Sequence, residues 1–289
     1  MKRGLDVDDF APRLSFFFNS HNNFFEEVCK YRAARRIWAK RLKNKYGAKK
    51  TESMRLRFHT QTAGVSLSAQ EPENNIARVT IQGLAAVLGG TQSLHTNSFD
   101  EALCLPTEKA VKIALRTQQI IAHESGVADT VDPLAGSYYV EWLTNKMEEE
   151  AEAYFEKIEK LGGVIPAIKA NFFQKEIANA SYKYQREIES KDRIFVGVND
   201  SQLREPCATP LLKIDENVAK EQIEYLRLLR NQRNNEKVQE ILKKLEEAAR
   251  GTENLMPYIV DAVREYASIG EIMASLKEVF GTYVEDSIF

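Results

Sequence analysis

The sequence is poor in the residues from which metal sites and disulfide frameworks are built. Cys29, Cys104 and Cys207 are odd in number and far apart in the 289 residues, which excludes a disulfide framework or a zinc-type CxxC pair. They are expected to be reduced packing residues. The four histidines, His21, His59, His95 and His123, never fall three to five residues from one another, so local spacing offers no metal site. An excess of one charge is also missing. The 40 Lys and Arg against 42 Asp and Glu leave a net charge of −2, without the basic surplus that nucleic acid or an anionic membrane requires. No run approaches the roughly 20 apolar residues that span a bilayer. The start Met1-Lys2-Arg3-Gly4-Leu5-Asp6 turns acidic before a secretory core forms. No nucleic-acid or membrane partner is expected, and the cytoplasm is the expected compartment. Small acidic ligands held by local arginines stay open.

What remains is an ordinary globular balance, 43% hydrophobic and 28% charged. Ala11 to Phe18 reads as a short buried strand, and Asn23 to Tyr46 as a helix that Gly47 closes in the left-handed conformation. Arg55 to Thr62 is the next strand, Pro72 to Leu88 the next helix, and Thr91 to Thr96 a third strand after Gly89-Gly90. Pro106 opens a helix to about His123. This β-α-β-α-β-α order implies parallel strands. After a loop from His123 to Val140 come helices Val140 to Leu161 and Val164 to Ser190, then a short strand Ile194 to Val198 and a linker Asp200 to Pro210. The rest is helical. Val238, Ile241, Leu242, Leu245 and Ala249 form one stripe, Asn254 is set to cap the following helix, and Ser268 with Glu271 fits a capping box.

The strands carry a polar face. Arg13, Ser15 and Phe17 alternate with Leu14, Phe16 and Phe18; Arg55, Arg57, His59 and Gln61 alternate with Leu56, Phe58 and Thr60; Thr91 to Thr96 is polar for much of its length. Parallel strands covered on both faces normally read as continuous Val, Ile and Leu. Burying several Arg, His and Gln without partners would cost kcal/mol apiece. Polar groups at strand ends, hydrogen-bonded to loops, are one reading of the pattern; three successive strands doing the same favour a sheet whose inner face lines a ligand channel.

Three runs carry a more specific signal: Arg13-Leu14-Ser15-Phe16-Phe17-Phe18, His59-Thr60-Gln61-Thr62-Ala63-Gly64, and Gly89-Gly90-Thr91-Gln92-Ser93-Leu94-His95-Thr96-Asn97. With the loop His123-Glu124-Ser125-Gly126-Val127-Ala128-Asp129-Thr130-Val131-Asp132-Pro133-Leu134, they closely resemble the large subunits of the methylmalonyl-CoA mutase family. The match is dense to about Asn199 and looser beyond. The resemblance implies an α/β fold, strands six to eight of an eight-stranded β/α barrel of the TIM type, with acyl-CoA threaded along the axis. Residues 1–200 would be this partial, acyl-CoA-binding barrel, and 201–289 a linker and helical region.

By the same resemblance, Arg13, Leu14 and Ser15 would contact the CoA chain and Arg57 its phosphates, a role suited to a planar guanidinium. His59, Gln61, Gln92 and Ser93 would hydrogen-bond the thioester and pantetheine. Glu101, Ala102 and Leu105 fall where the family meets the corrin ring and adenosyl arm of adenosylcobalamin, while Val65 replaces a tryptophan of well-known members. The implied reaction is the radical carbon-skeleton isomerisation of (R)-methylmalonyl-CoA and succinyl-CoA. Related isobutyryl-CoA or 2-hydroxyisobutyryl-CoA mutases, or a non-catalytic mutase-like assembly partner, are the alternatives. Strands one to five, the groups holding the acyl carboxylate, and the cobalt-ligating histidine of the cobalamin-binding domain or small subunit would lie outside this chain. No catalytic residue is therefore assigned in it, and the chain alone is expected to be inactive and partly unfolded or oligomeric.

Overall fold

A computed structural model describes residues 4–203 and 209–284. The chain divides by contacts into two compact units, Met1–Leu212 and Lys213–Phe289. In the first, a helical turn α1 (Val7–Phe10) and a 3-10 turn (Ala11–Arg13) lead to β1 (Phe16–Ser20), α2 (Phe24–Asn44), β2 (Phe58–Thr62), α3 (Asn74–Leu88), β3 (Ser93–His95) and α4 (Glu108–Glu124). Then come α5 (Tyr138–Lys160), α6 (Val164–Lys169) and α7 (Phe172–Glu189). The three strands form one parallel sheet in the order β1-β2-β3. This is the repeating βα pattern of a partial barrel, followed by helices.

The helix-facing side of the sheet makes the core. Tyr31, Leu56, Phe58 and Ala86 are buried together, with Phe16, Phe18, Trp38 and Leu94 packed on them. Tyr31 stacks on Phe58 at 5.3 Å and Phe18 meets the same ring edge-on at 5.2 Å. Full burial of each large apolar side chain contributes roughly 1.5–3 kcal/mol. This is the apolar half of the alternation seen in the sequence. Helix α2 starts with Glu26 and Glu27 and ends with Arg41 and Lys43, charges that suit its dipole. Gly47 takes φ +73°, and the Ala48 amide then closes onto the Leu42 carbonyl at 2.9 Å.

Helix α5 runs parallel to α2 and is tied to it by ion pairs that rise in step: Arg32–Glu141, Arg36–Glu148, Arg41–Glu152 and Lys45–Glu159. Arg32, almost buried, also binds Asp132 through Nε at 3.0 Å and donates to Thr144 Oγ1 at 2.9 Å. It thereby pins the Gly- and Asp-rich loop before α5.

Several expected boundaries move. The first strand starts at Phe16, because Pro12 sets Ala11–Arg13 in a 3-10 turn. Helix α4 begins at Glu108, capped by Thr107, so Pro106 lies outside it. The single helix expected over Val164 to Ser190 breaks at Asn171, which has a left-handed φ of +55°. Ile194 to Val198 makes no strand, only one bridge between Val196 and Asp200. The expected linker falls partly on residues 204–208, which with Cys207 lie outside the described residues. Cys29 and Cys104 are free thiols.

The second unit contains α8 (Glu216–Gln232), α9 (Asn235–Ala249), α10 (Met256–Arg264) and α11 (Ile269–Phe280). The stripe on α9 is its core: Val238, Leu242 and Leu245 bury against Ala262 and Ile272. Asn254 accepts the Met256 amide at 3.1 Å, and the Ser268–Glu271 capping box is complete. Among the described residues no helix is long and apolar enough to cross a membrane.

Candidate functional site

Register brings the polar half of the alternation into two rows. Phe17, His59 and Ser93 are level across the sheet, and so are Asn19, Gln61 and His95. Their side chains share the face opposite the core, where Phe17 is 61% exposed although it is aromatic. His59 Nδ1 lies 2.7 Å from Ser93 Oγ, and the Phe17 ring sits 5.1 Å from the imidazole. Gln61 donates to Asn97 Oδ1 at 3.1 Å. The row offers hydrogen-bonding groups on a half-open surface, the environment a polar chain lying along the strands would need.

Not every candidate sits in that row. Arg13 closes the 3-10 turn and Leu14 and Ser15 form the extended, exposed lead into β1, so the strand alternation does not reach back to Arg13. Arg57 precedes β2, is exposed, and donates to the Pro12 carbonyl. Gln92 uses its carboxamide to extend the sheet: Oε1 accepts the Phe58 amide at 2.7 Å and Nε2 donates to the Gly90 carbonyl at 2.9 Å. A recess of about 420 Å³ beside it is lined by Arg35, Arg55, Arg57 and Gln92.

At the other end of the strands a cleft of about 680 Å³ gathers Gln61, His95, Glu101, Cys104 and Leu105. Ala102 is exposed nearby in sequence and does not line it. A Cβ on Gly64 would stand 2.6 Å from Glu101 Oε1 and 3.2 Å from Asn97 Nδ2, so only glycine lets these side chains close over the β2 loop. Burial of the Glu101 carboxyl, reinforced by the charge of Asp100, pushes its pKa above the usual carboxylate range. Leu105, in the lining of the cleft, is 62% exposed, and Val65, next to Gly64 in the chain, is 84% exposed.

The residues that hold this arrangement were not singled out in the sequence. Asn97 donates through Nδ2 to the Thr62 carbonyl and through its backbone N–H to the Thr62 hydroxyl oxygen, both at 2.9 Å. Asn75, fully buried, binds the carbonyls of Ser68 and Phe99 at 2.9 Å each, joining the loops after β2 and β3. Gln82 donates to Asn22 and Ser66. Asp100 accepts from the amide and hydroxyl of Thr107 at the start of α4. The one signal available was polar residues, Asn75 and Gln82, on the inward face of an apolar helix.

Comparison with known proteins decides the family. The methylmalonyl-CoA mutase family model matches residues 1–282. The chain belongs to the methylmalonyl-CoA mutase family. It is 47% identical, over all of its length and 52% of the relative, to the 2-hydroxyisobutanoyl-CoA mutase large subunit of Aquincola tertiaricarbonis. It is 44% identical to methylmalonyl-CoA mutase of Rhizobium meliloti and 45% to that of Escherichia coli, each over 98% of this chain and 40% of the relative. The chain thus spans about half the length, or less, of these relatives. Of the motifs that carried the resemblance, those at Phe16–Phe18, His59–Gly64 and Thr91–Asn97 lie at the polar row and the cleft, while the loop His123–Leu134 is held by Arg32 through Asp132.

Proposed function

We propose that this chain is the CoA-facing wall of an adenosylcobalamin-dependent acyl-CoA mutase. In this reading it catalyses, with partners, the isomerisation of (R)-methylmalonyl-CoA and succinyl-CoA in the cytoplasm. The observation that carries the proposal is the polar row His59–Ser93 and Gln61–His95, half-open on a parallel sheet whose opposite face carries the apolar core of Tyr31, Leu56, Phe58 and Ala86. In this reading His59, Gln61 and Ser93 hydrogen-bond the thioester and pantetheine. Arg13, Leu14 and Ser15 meet the CoA chain where it enters, and Arg57 meets its phosphates beside Arg55 and Arg35. Gln92 serves by fixing the start of β3 against β2.

The residues at the cleft suit a large, flat, mostly apolar group. Val65 and Leu105 present uncovered apolar surface, Gly64 leaves the floor clear of a Cβ, and Glu101 brings a partly desolvated carboxyl able to accept from a ribose hydroxyl. Glu101 and Leu105 would hold adenosylcobalamin there, with Ala102 exposed beside them in the chain. When bound, this group supplies the radical chemistry; the protein positions the substrate and excludes competing reactions. The cobalt-ligating histidine and the acyl-selecting groups come from a cobalamin-binding subunit or domain and from the complementary part of the barrel.

The test is reconstitution. The chain is combined with the part of the Rhizobium meliloti methylmalonyl-CoA mutase that it does not match, with a cobalamin-binding domain or subunit present. CoA binding is then measured by calorimetry, and interconversion of methylmalonyl-CoA and succinyl-CoA by chromatography. Tight CoA binding with turnover is expected; an assembled complex without CoA affinity refutes the reading. The second reading, a 2-hydroxyisobutyryl-CoA mutase, has the 47% identity to the Aquincola subunit behind it; higher activity of this chain when it is paired with the unmatched part of that subunit than with the Rhizobium part would favour it.

A further inference from the structure

The apolar run Ile194 to Val198 folds as a turn, and that turn has a specific seat in the first unit. Asn199 closes it: Oδ1 accepts the Phe195 amide at 2.7 Å, and Nδ2 donates to the carbonyls of Ile188 at 2.8 Å and Arg193 at 2.7 Å. The turn is thereby tied to the end of α7. Gly197, buried at φ +79°, comes so close to the loop after β2 that a Cβ would stand 3.1 Å from Glu71 Oε1. Arg78 of α3 joins the turn to that loop. Its Cζ lies over the Phe195 ring at 4.7 Å, and Nη2 donates to the Val196 carbonyl at 2.7 Å. Nη1 donates to Asn75 Oδ1 at 2.7 Å and to Ser68 Oγ at 3.2 Å. Asn75 carries the contact on, since the same Oδ1 takes the Ser68 amide at 3.1 Å while Nδ2 binds the carbonyls of Ser68 and Phe99. Gly64 stands four residues before Ser68 and Glu101 two after Phe99, so this chain of bonds ends on both loops of the cleft.

We infer that the turn Phe195–Asn199 is a clamp and Arg78 a positioning residue: together they hold the loops after β2 and β3 in the shape that binds a corrinoid, although neither is among the residues lining the cleft. The inference rests on the functional reading above, which puts adenosylcobalamin there. Two features favour it over plain packing. A guanidinium is a rigid planar fork, able to serve a carbonyl, a carboxamide and a hydroxyl at once, and these acceptors belong to separate segments, the turn, α3 and the β2 loop. Asn75, in turn, is fully buried with both loops held on its carboxamide. A buried polar network is rigid only while every member is satisfied. Displacing the turn loosens the guanidinium, and with it the carboxamide that fixes the two loops.

The test uses the reconstituted enzyme with variants of this chain. Arg78→Gln removes the fork, Arg78→Lys keeps the charge alone, and Gly197→Ala lifts the turn from Glu71 without touching Arg78 or the cleft. Phe195→Ala loosens the same seat and takes the place of Gly197→Ala if circular dichroism shows that variant unfolded. Corrinoid affinity is read by the absorbance of bound cobalamin, CoA affinity by calorimetry, and loop order by hydrogen exchange over residues 64–68. Each variant is expected to weaken corrinoid binding about tenfold, to speed exchange over residues 64–68, and to leave CoA affinity unchanged. Because turn and arginine act through one link, combining Gly197→Ala with Arg78→Gln should add nothing further. Corrinoid affinity kept by the variants overturns the inference while the functional reading stands. Equal losses of corrinoid and CoA affinity overturn it too, since they assign the turn to general packing, and so do effects that add in the double variant. A wild-type complex that binds CoA but no corrinoid removes the cofactor half of the functional reading and the inference with it.

Discussion

The carboxamide of Gln61 donates to Asn97 Oδ1 across 3.1 Å, while the amide of Asn97 is spent on the Thr62 carbonyl. Asn97 is almost wholly buried and Gln61 half-open, so one residue aims the other. The two should fail differently. Gln61→Leu removes a group at the surface of the row and leaves Asn97 Oδ1 without its donor, so it should cost about 1 kcal/mol of stability. In the reconstituted enzyme it should weaken CoA binding about tenfold, the worth of one hydrogen bond near 1.4 kcal/mol. Asn97→Ala strands a buried carbonyl and should lose about 1–3 kcal/mol in denaturant titration as well. Wild-type CoA affinity in Gln61→Leu would remove the row from the binding site.

Gly64 separates packing from ligand binding at the cleft. The atom that a Cβ would meet first is the terminal Oε1 of Glu101, the end of a flexible side chain. Gly64→Ala should therefore cost less than about 1 kcal/mol of stability, with Glu101 swung away from the floor. Corrinoid affinity in the reconstituted enzyme, read by the absorbance of bound cobalamin, should fall while CoA affinity holds. Equal loss of both would assign Gly64 to general packing.

Arg32 is the anchor of the loop between α4 and α5. Its guanidinium binds Asp132, Glu141 and Thr144 at once, and those groups lie about 100 or more residues ahead in sequence. Because both carboxylates are partly exposed, Arg32→Ala should cost about 2 kcal/mol, less than a fully buried pair. Limited proteolysis should then cut first within residues 126–137. A cleavage pattern identical to wild type would mean that the loop holds itself.

These relationships separate what a linear reading reaches from what it does not. Period-two alternation gave both faces of β2, since His59 and Gln61 point away from a core containing Leu56 and Phe58. The capping box at Ser268 and the turn at Gly47 were legible because each is set by residues a few positions apart. Alternation misled at Arg13, where Pro12 fixes φ and breaks the strand before it starts. It misled again at Ile194 to Val198, an apolar run with no neighbouring strand to pair with. Gln92 also accepts the Phe58 amide, a partner 34 residues away that local spacing does not reveal. Asn75, Asn97 and Arg32 act across loops, and only the folded chain brings their partners within reach.

In the second unit Glu271 serves two partners. It completes the capping box with Ser268 and accepts from Arg233, whose side chain is almost buried. The guanidinium, with the Ser268 hydrogen bonds, lowers the carboxyl from its ordinary value near 4.5 to about 2, against the opposing effect of burial. A depressed folded pKa stabilises above the unfolded value and ceases to as protons reach the folded one. The contribution should be complete above about pH 5 and should fade between about 4.5 and 2, with a size of order 2 kcal/mol after allowance for solvent screening. Glu271→Gln isolates the charge, because glutamine also serves a capping box. Denaturant titrations of wild type and Glu271→Gln, followed by helical circular dichroism, should differ by that amount at pH 6 and converge as pH falls toward 2. A gap independent of pH would mean that the pair acts through shape and capping alone.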